Sequence, residues 1–225
     1  KEMIDMYLDS VKDFADQECY PTFREMDEQP AHYKDGKIIV HPSLEKIIPQ
    51  CGELGLIGGS FSNEHGGMQM PEMMAQAAGF IVDAANNNVI GYAGLTAGSA
   101  HLITAFGSQE LTDTYTPKMF TGEWGGTMCL TEPQAGSSLS DVVTSATPQA
   151  DGSYKIKGQK IFISGGDHTG TPNFVHLTLA KIDGGPAGAK GISLFVVPKI
   201  MEDGSKNDIS NIGIYHKMGQ RAVPA

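Results

Sequence analysis

The sequence is poor in cysteine: Cys19, Cys51 and Cys129 stand far apart, odd in number and without a Cys-x-x-Cys. That spacing excludes a disulfide framework and a paired-cysteine zinc site and points to a reducing compartment, with cytosol the expected location. Basic charge is also scarce. Sixteen Lys and Arg face 26 Asp and Glu, for a formal charge of −10. A broad basic face for nucleic acid or anionic lipid is therefore not expected. No run approaches about eighteen apolar residues, so no membrane span is expected. Lys1 to Ser10 has an acidic amphipathic pattern and not that of a signal peptide. A first residue that is Lys and not Met leads us to expect chain before it.

Several chemical signatures are missing as well. No Gly-x-Gly-x-x-Gly follows a strand, which leaves a Rossmann dinucleotide site unsupported. Gly184 to Gly191 contains Lys190, but the spacing misses a P-loop and no Ser or Thr follows the lysine, so the stretch reads as a hairpin. There is no Gly-x-Ser-x-Gly elbow and no His-Glu-x-x-His. His168 and His176 are the closest histidine pair, separated by a Gly-Thr-Pro loop, and read as loop and strand-end residues, not metal ligands.

What is present divides in two. Over 225 residues with 40% hydrophobic content, one large domain or two modest ones can bury a core. Ile4, Leu8, Val11, Phe14 and Ala15 recur at helical spacing. Leu44, Ile47, Ile48 and Cys51 repeat it after the Pro42-Ser43 start signal. Gly52 to Gly67 is glycine-rich and irregular. Pro71-Glu72 opens another helical pattern through Met74, Ala77, Ile81 and Ala84. A long one runs from Val89 to Phe106, and Ser108-Gln109-Glu110 starts a short one ending near Phe120. After Trp124 the texture becomes β: Gly126–Leu130, Tyr154–Ile163, Phe174–Lys181 and Ile192–Pro198 are strand-length runs separated by Asp-Gly turns. Helices first and strands after predict an α+β chain of two segregated parts, 1–123 and 124–225.

Two stretches of the β half share a pattern. Met128-Cys129-Leu130-Thr131-Glu132-Pro133-Gln134-Ala135-Gly136-Ser137 and Gly158-Gln159-Lys160-Ile161-Phe162-Ile163-Ser164-Gly165-Gly166 each run from an apolar, strand-like segment through a hydroxyl residue into a glycine turn. Such an edge offers backbone N–H groups and a hydroxyl to a flat heteroaromatic ring. At this spacing the pair resembles the flavin-binding middle domain of the acyl-CoA dehydrogenases. Other segments agree, in the family's order: Tyr115-Thr116-Pro117-Lys118, an Asp-Gly-x-Tyr turn, Lys190-Gly191-Ile192-Ser193-Leu194-Phe195-Val196-Val197-Pro198-Lys199, and His216-Lys217-Met218-Gly219-Gln220-Arg221. Gly165-Gly166-Asp167-His168 and Pro186 to Ser193 look like the larger-subunit branch that includes 3-methylmercaptopropionyl-CoA dehydrogenases. One position departs: the family usually has Asp after the first Gly-Ser, and here it is Ser138.

The resemblance implies an N-terminal all-helical domain, a barrel-like or sandwich-like β domain, and a C-terminal helical domain that this chain lacks. It implies FAD, with Met128, Leu130 and Thr131 along the pyrimidine end of the ring and Phe162, Ile163 and Ser164 along the other edge, the Ser164 hydroxyl near N5. Ser137 matches the position that contacts the pantetheine or phosphate region of the thioester, and reads equally well as a turn-stabilising serine. The implied reaction is α,β-dehydrogenation of an acyl-CoA to a trans-2-enoyl-CoA, electrons leaving to an electron-transfer flavoprotein, in a homodimer or homotetramer. The base glutamate of the family is expected beyond Ala225, so no carboxylate here, Glu132 included, is assigned that role. Residues 1–225 are accordingly expected to be part of a longer polypeptide and inactive alone. Acyl-CoA or nitroalkane oxidation on the same fold, or a non-catalytic scaffold member, are the competing readings. Air reoxidation of the reduced enzyme would separate the first, and the acidic charge weighs against a DNA-associated scaffold.

Overall fold

The computed structural model describes residues 2–225. The chain opens with α1 (Glu2–Phe14), which passes through a π turn at Ala15–Cys19 into α2 (Tyr20–Glu28). Pro21 explains the turn. It has no N–H to return to the Gln17 carbonyl and its ring crowds that position, so the helix widens instead of breaking. Asn86 fastens the widened stretch: its Nδ2 donates to the Cys19 carbonyl at 3.1 Å, while its Oδ1 accepts from the Asn88 N–H at 3.1 Å.

A short hairpin follows, β1 (His32–Lys34) and β2 (Lys37–Ile39). The N-terminal half is therefore not purely helical. Asp35 and Gly36 turn it with φ of 50° and 77°, the left-handed pair that tight hairpins require. Then come α3 (Leu44–Glu53), α4 (Glu72–Ala85), α5 (Asn87–Phe106) and α6 (Gln109–Phe120), close to where periodicity and start signals place them. Ser108 caps α6 by accepting from the Leu111 N–H.

The centre of this half is α5. Val89, Tyr92, Ala93, Thr96, Ser99, Ala100 and Ile103 are buried along it, against α3, α4, α6 and the first long strand. By length and composition α5 is also apolar enough to cross a membrane, contrary to the expectation from unbroken apolar runs, because small and polar residues interrupt it. A helix apolar on most sides is what a core position demands.

The β half is a five-stranded mixed sheet of β3 (Trp124–Cys129), β4 (Ser145–Pro148), β5 (Tyr154–Lys157), β6 (Asn173–Ile182) and β7 (Ile192–Pro198). β6 organises it. One edge pairs antiparallel with β7, joined as the hairpin that the Gly184–Gly191 stretch suggested. The other pairs in parallel with β3 and, at Lys181 and Ile182, with β4, to which β5 adds antiparallel. With neighbours on both edges, β6 is buried from Asn173 through Thr178, and its run Phe174-Val175-His176-Leu177 is correspondingly apolar. Glycines in β3 let both layers close on it. A Cβ at Gly125 would lie 2.4 Å from the Phe174 ring, and one at Gly126 2.7 Å from Ser99 of α5. The helical and β halves thus meet on β3, directly ahead of Leu130 and Thr131.

Candidate functional site

The first glycine-edged run leaves the sheet after Cys129 and turns at once. Glu132 N–H donates to the Ala135 carbonyl at 2.7 Å, and Ala135 N–H returns to Glu132 at 3.1 Å, with Pro133 setting the backbone at the second turn position. The loop beyond is folded around the Glu132 side chain. One carboxylate oxygen accepts from Lys160 Nζ at 2.7 Å and the Thr144 N–H at 3.1 Å; the other accepts from the Val143 N–H at 2.8 Å and Gln134 Nε2 at 2.7 Å. Burial alone would raise its pKa, but the hydrogen bonds from Lys160, Thr144 and Val143 prevail and lower it to about 2. A carboxylate so engaged accepts no substrate proton at neutral pH.

The second run does not continue β5. Pairing stops at Lys157, so the expected strand to Ile163 is corrected to Tyr154–Lys157. Gly158 crosses Thr144 so closely that a Cβ there would sit 2.2 Å from its hydroxyl oxygen. Phe162 then takes φ of 56°, which a strand cannot contain. The segment between lies beside the first run: Ile161 N–H donates to the Thr131 carbonyl at 2.9 Å and Lys160 Nζ to the Leu130 carbonyl at 3.1 Å.

The structure therefore brings the two runs together. Met128, Leu130 and Thr131 are half-buried on one, Ile163 and Ser164 half-buried on the other. Phe162 is 56% exposed, its ring held against Tyr215 at 4.6 Å between centroids. Among the described residues, the hydrogen bonds of this edge run through the backbone, Glu132 and Lys160, and none involves the Thr131 or Ser164 hydroxyl. Ser137 is exposed on the turn beyond. Its neighbour Gly136 would bring a Cβ within 3.8 Å of Thr131, so the turn lies alongside the edge.

The Ser164–His168 segment is tied at three places. Gly165, at φ of 64°, donates to the Pro224 carbonyl at 2.8 Å. Asp167, at φ of 42°, pairs with Lys199 and accepts from Asn211 Nδ2 at 2.7 Å. His168 joins β2 through a parallel bridge to Ile38. None of these partners is near in sequence, and no local rule links them. Tyr215 and Lys160 likewise carry no local signal of their place at this edge; the one cue for Lys160 is its position inside the Gly-Gln-Lys-Ile run.

The two histidines are core residues on either side of Phe174, with ring centroids 4.8 and 5.9 Å from it. His176 lies within β6 and not at a strand end, its Nδ1 2.7 Å from the Thr127 hydroxyl. Burial, with Lys199 adding to it, lowers the pKa of His168 to about 3. For His176, burial outweighs the opposing pull of Asp167 and gives about 4. Both rings are neutral at physiological pH.

Residues 1–123 match the family model described as "Acyl-CoA dehydrogenase, N-terminal domain", and residues 127–225 match "Acyl-CoA dehydrogenase, middle domain". The chain belongs to the acyl-CoA dehydrogenase family. It is 39% identical over 203 residues to 3-methylmercaptopropionyl-CoA dehydrogenase of Ruegeria pomeroyi, a match covering 88% of this chain and 34% of that protein. To butyryl-CoA dehydrogenase of Syntrophomonas wolfei it is 38% identical over 226 residues, covering 96% of this chain and 37% of the relative. This acyl-CoA dehydrogenase chain thus spans about a third of the length of the curated relatives it matches. Among solved structures, one described as the electron transferring flavoprotein of Acidaminococcus fermentans superimposes with a TM-score of 0.79 at 27% identity, covering 100% of this chain and 53% of that one. The likeness to the larger branch, seen in the Gly165–His168 and Pro186–Ser193 segments, agrees with the Ruegeria match.

Proposed function

We propose that this chain supplies the flavin edges of an FAD-dependent acyl-CoA dehydrogenase that converts an acyl-CoA thioester to a trans-2-enoyl-CoA. The observation that carries the reading is the joining of two distant runs. The Ile161–Thr131 backbone bond sets Met128, Leu130 and Thr131 beside Phe162, Ile163 and Ser164, with two hydroxyls and one exposed aromatic ring on that edge. These residues fit a flavin. Thr131, with the backbone of Met128 and Leu130, would hold the polar pyrimidine end, Phe162 would pack on the ring face, and Ser164 would donate near N5. When bound, FAD supplies the two-electron acceptor for the substrate hydride. Fixed donors at this edge favour the added electron density and raise electron affinity. Ser137 is proposed to meet the pantetheine or phosphate part of the thioester.

Glu132 is fully engaged and is not assigned proton abstraction; the resemblance to the family supports a glutamate outside residues 2–225 in that role. The electron acceptor is proposed to be an electron-transfer flavoprotein, and the assembly a homodimer or homotetramer; the resemblance to family members supports both.

The test uses the full-length gene product. Flavin released by heating should be FAD and not FMN, and an acyl-CoA should bleach the flavin band without air. FMN, or no flavin after reconstitution, would overturn the reading.

A further inference from the structure

The Glu132–Lys160 pair has no part in the proposed reaction, yet it occupies the seam between the two runs. The side chains of Lys160 and Glu132 are 11% and 1% exposed. Four contacts other than the lysine hold the carboxylate: the N–H groups of Val143 and Thr144, the Thr144 hydroxyl and Gln134. Lys160 divides its donors between that carboxylate, at 2.7 Å, and the Leu130 carbonyl, at 3.1 Å. One residue further on, Ile161 bonds Thr131. Among the described residues, the hydrogen bonds between the runs are thus the Lys160–Glu132 ion pair, the Lys160 bond to the Leu130 carbonyl and one backbone bond.

Charges this sheltered are weakly screened, and removing one partner leaves the other uncompensated. Here the survivor would be either Glu132, next to Thr131 in the chain, or Lys160, held 3.1 Å from the carbonyl of Leu130 on its other side. An anion at that place opposes added electron density on a neighbouring ring, and a cation favours it. We infer that Lys160 and Glu132 are a positioning pair for the cofactor: their bond sets the spacing of the two edges, and their balanced charges hold the electron affinity of the flavin between two extremes. The inference rests on the flavin reading given under "Proposed function". It goes further by assigning the tuning to two side chains that do not themselves touch the ring.

The sign of the response separates this role from a purely structural one. Lys160→Met leaves the Glu132 charge and should shift the flavin midpoint potential downward. Glu132→Gln leaves the Lys160 charge and should shift it upward. Both should weaken FAD binding, because both open the seam. The double variant should return the potential toward wild type while FAD affinity stays reduced. A pair acting only as a strand clamp would loosen FAD in each variant with no opposed shifts. Lys160→Arg, which keeps the charge and the donors, should hold both potential and affinity near wild type.

The experiment is spectroelectrochemical titration and FAD titration on the full-length holoenzyme. Opposed shifts, or a downward shift in Lys160→Met with Lys160→Arg unchanged if Glu132→Gln does not fold, support the inference. Shifts of one sign in both variants, or none in Lys160→Met, overturn it. If Lys160→Met retains no flavin, Glu132→Gln decides: an upward shift of the potential supports the pair, and no shift or a downward one overturns it. A wild-type protein that binds no FAD rejects the flavin reading itself, whereas FAD bound with unshifted variants rejects this inference alone.

Discussion

The Tyr92 hydroxyl, on α5, donates to the carbonyl of Ala222 at 2.5 Å. The bond joins the middle of the helical core to the last residues of the chain, and Tyr92 is 4% and Ala222 0% exposed. The same tail packs Val223 against Gly91, where a Cβ would lie 3.2 Å away, and offers the Pro224 carbonyl to Gly165. One buried tyrosine therefore helps seat the segment that pins the Ser164–Gly165 turn.

Tyr92→Phe should test this. The ring keeps its edge contact with His168, while a buried carbonyl loses its donor. The expected cost is about 1–3 kcal/mol, read as a lower midpoint in urea with an unchanged slope.

Thr131→Val and Ser164→Ala should each lower the flavin potential and slow turnover of the full-length enzyme. A lost hydrogen bond to a group that becomes charged is worth about 1.5–3 kcal/mol, which corresponds to about tenfold in rate or more. Unchanged potentials and rates in both variants would reject the assigned edges.

Acid should destabilise the fold in two stages. His168 and His176 have folded pKa values of about 3 and 4 against an ordinary 6.5, so below 6.5 the unfolded chain binds protons that the folded chain refuses. Stability is then lost as pH falls from 6.5 toward 4 and 3. Glu132, lowered from 4.5 to about 2, contributes stability that is complete above 4.5 and lost between there and 2. A tenfold difference in proton affinity between the folded and unfolded chain corresponds to about 1.4 kcal/mol. Urea midpoints measured from pH 7.5 to 4.5 should decline, and His176→Gln should flatten the decline. A flat wild-type profile would contradict the burial of both rings.

Two glycine replacements should act in opposite directions. A Cβ at Gly52 would lie 2.3 Å from the Thr121 backbone, while one at Gly94, on the outward side of α5, meets nothing within 4 Å. Gly52→Ala should cost about 1–3 kcal/mol by overpacking. Gly94→Ala should gain up to about 1 kcal/mol through helix propensity. Thermal melts of both variants check the contrast.

Local rules were enough to place α3 to α6, because apolar period and start signals such as Pro42-Ser43, Pro71-Glu72 and Ser108 act within a few residues. They also placed β3, β6 and β7 and the hairpin at Gly184–Gly191. The order of motifs from Tyr115-Thr116-Pro117-Lys118 to His216-Lys217-Met218-Gly219-Gln220-Arg221 was sufficient to indicate the family. Pairing between distant residues was not accessible in this way. Phe162-Ile163-Ser164 has the composition of a strand, and its departure from β5 depends on Gly158 crossing Thr144 and on the bond from Ile161 to Thr131. His176 looked like a strand-end histidine until β3 and β7 enclosed β6 from both edges. Lys160 and Glu132, 28 residues apart, show the same limit: residue type decides which side chain can be cation or anion, but only the folded chain removes water from between them and makes that charge matter.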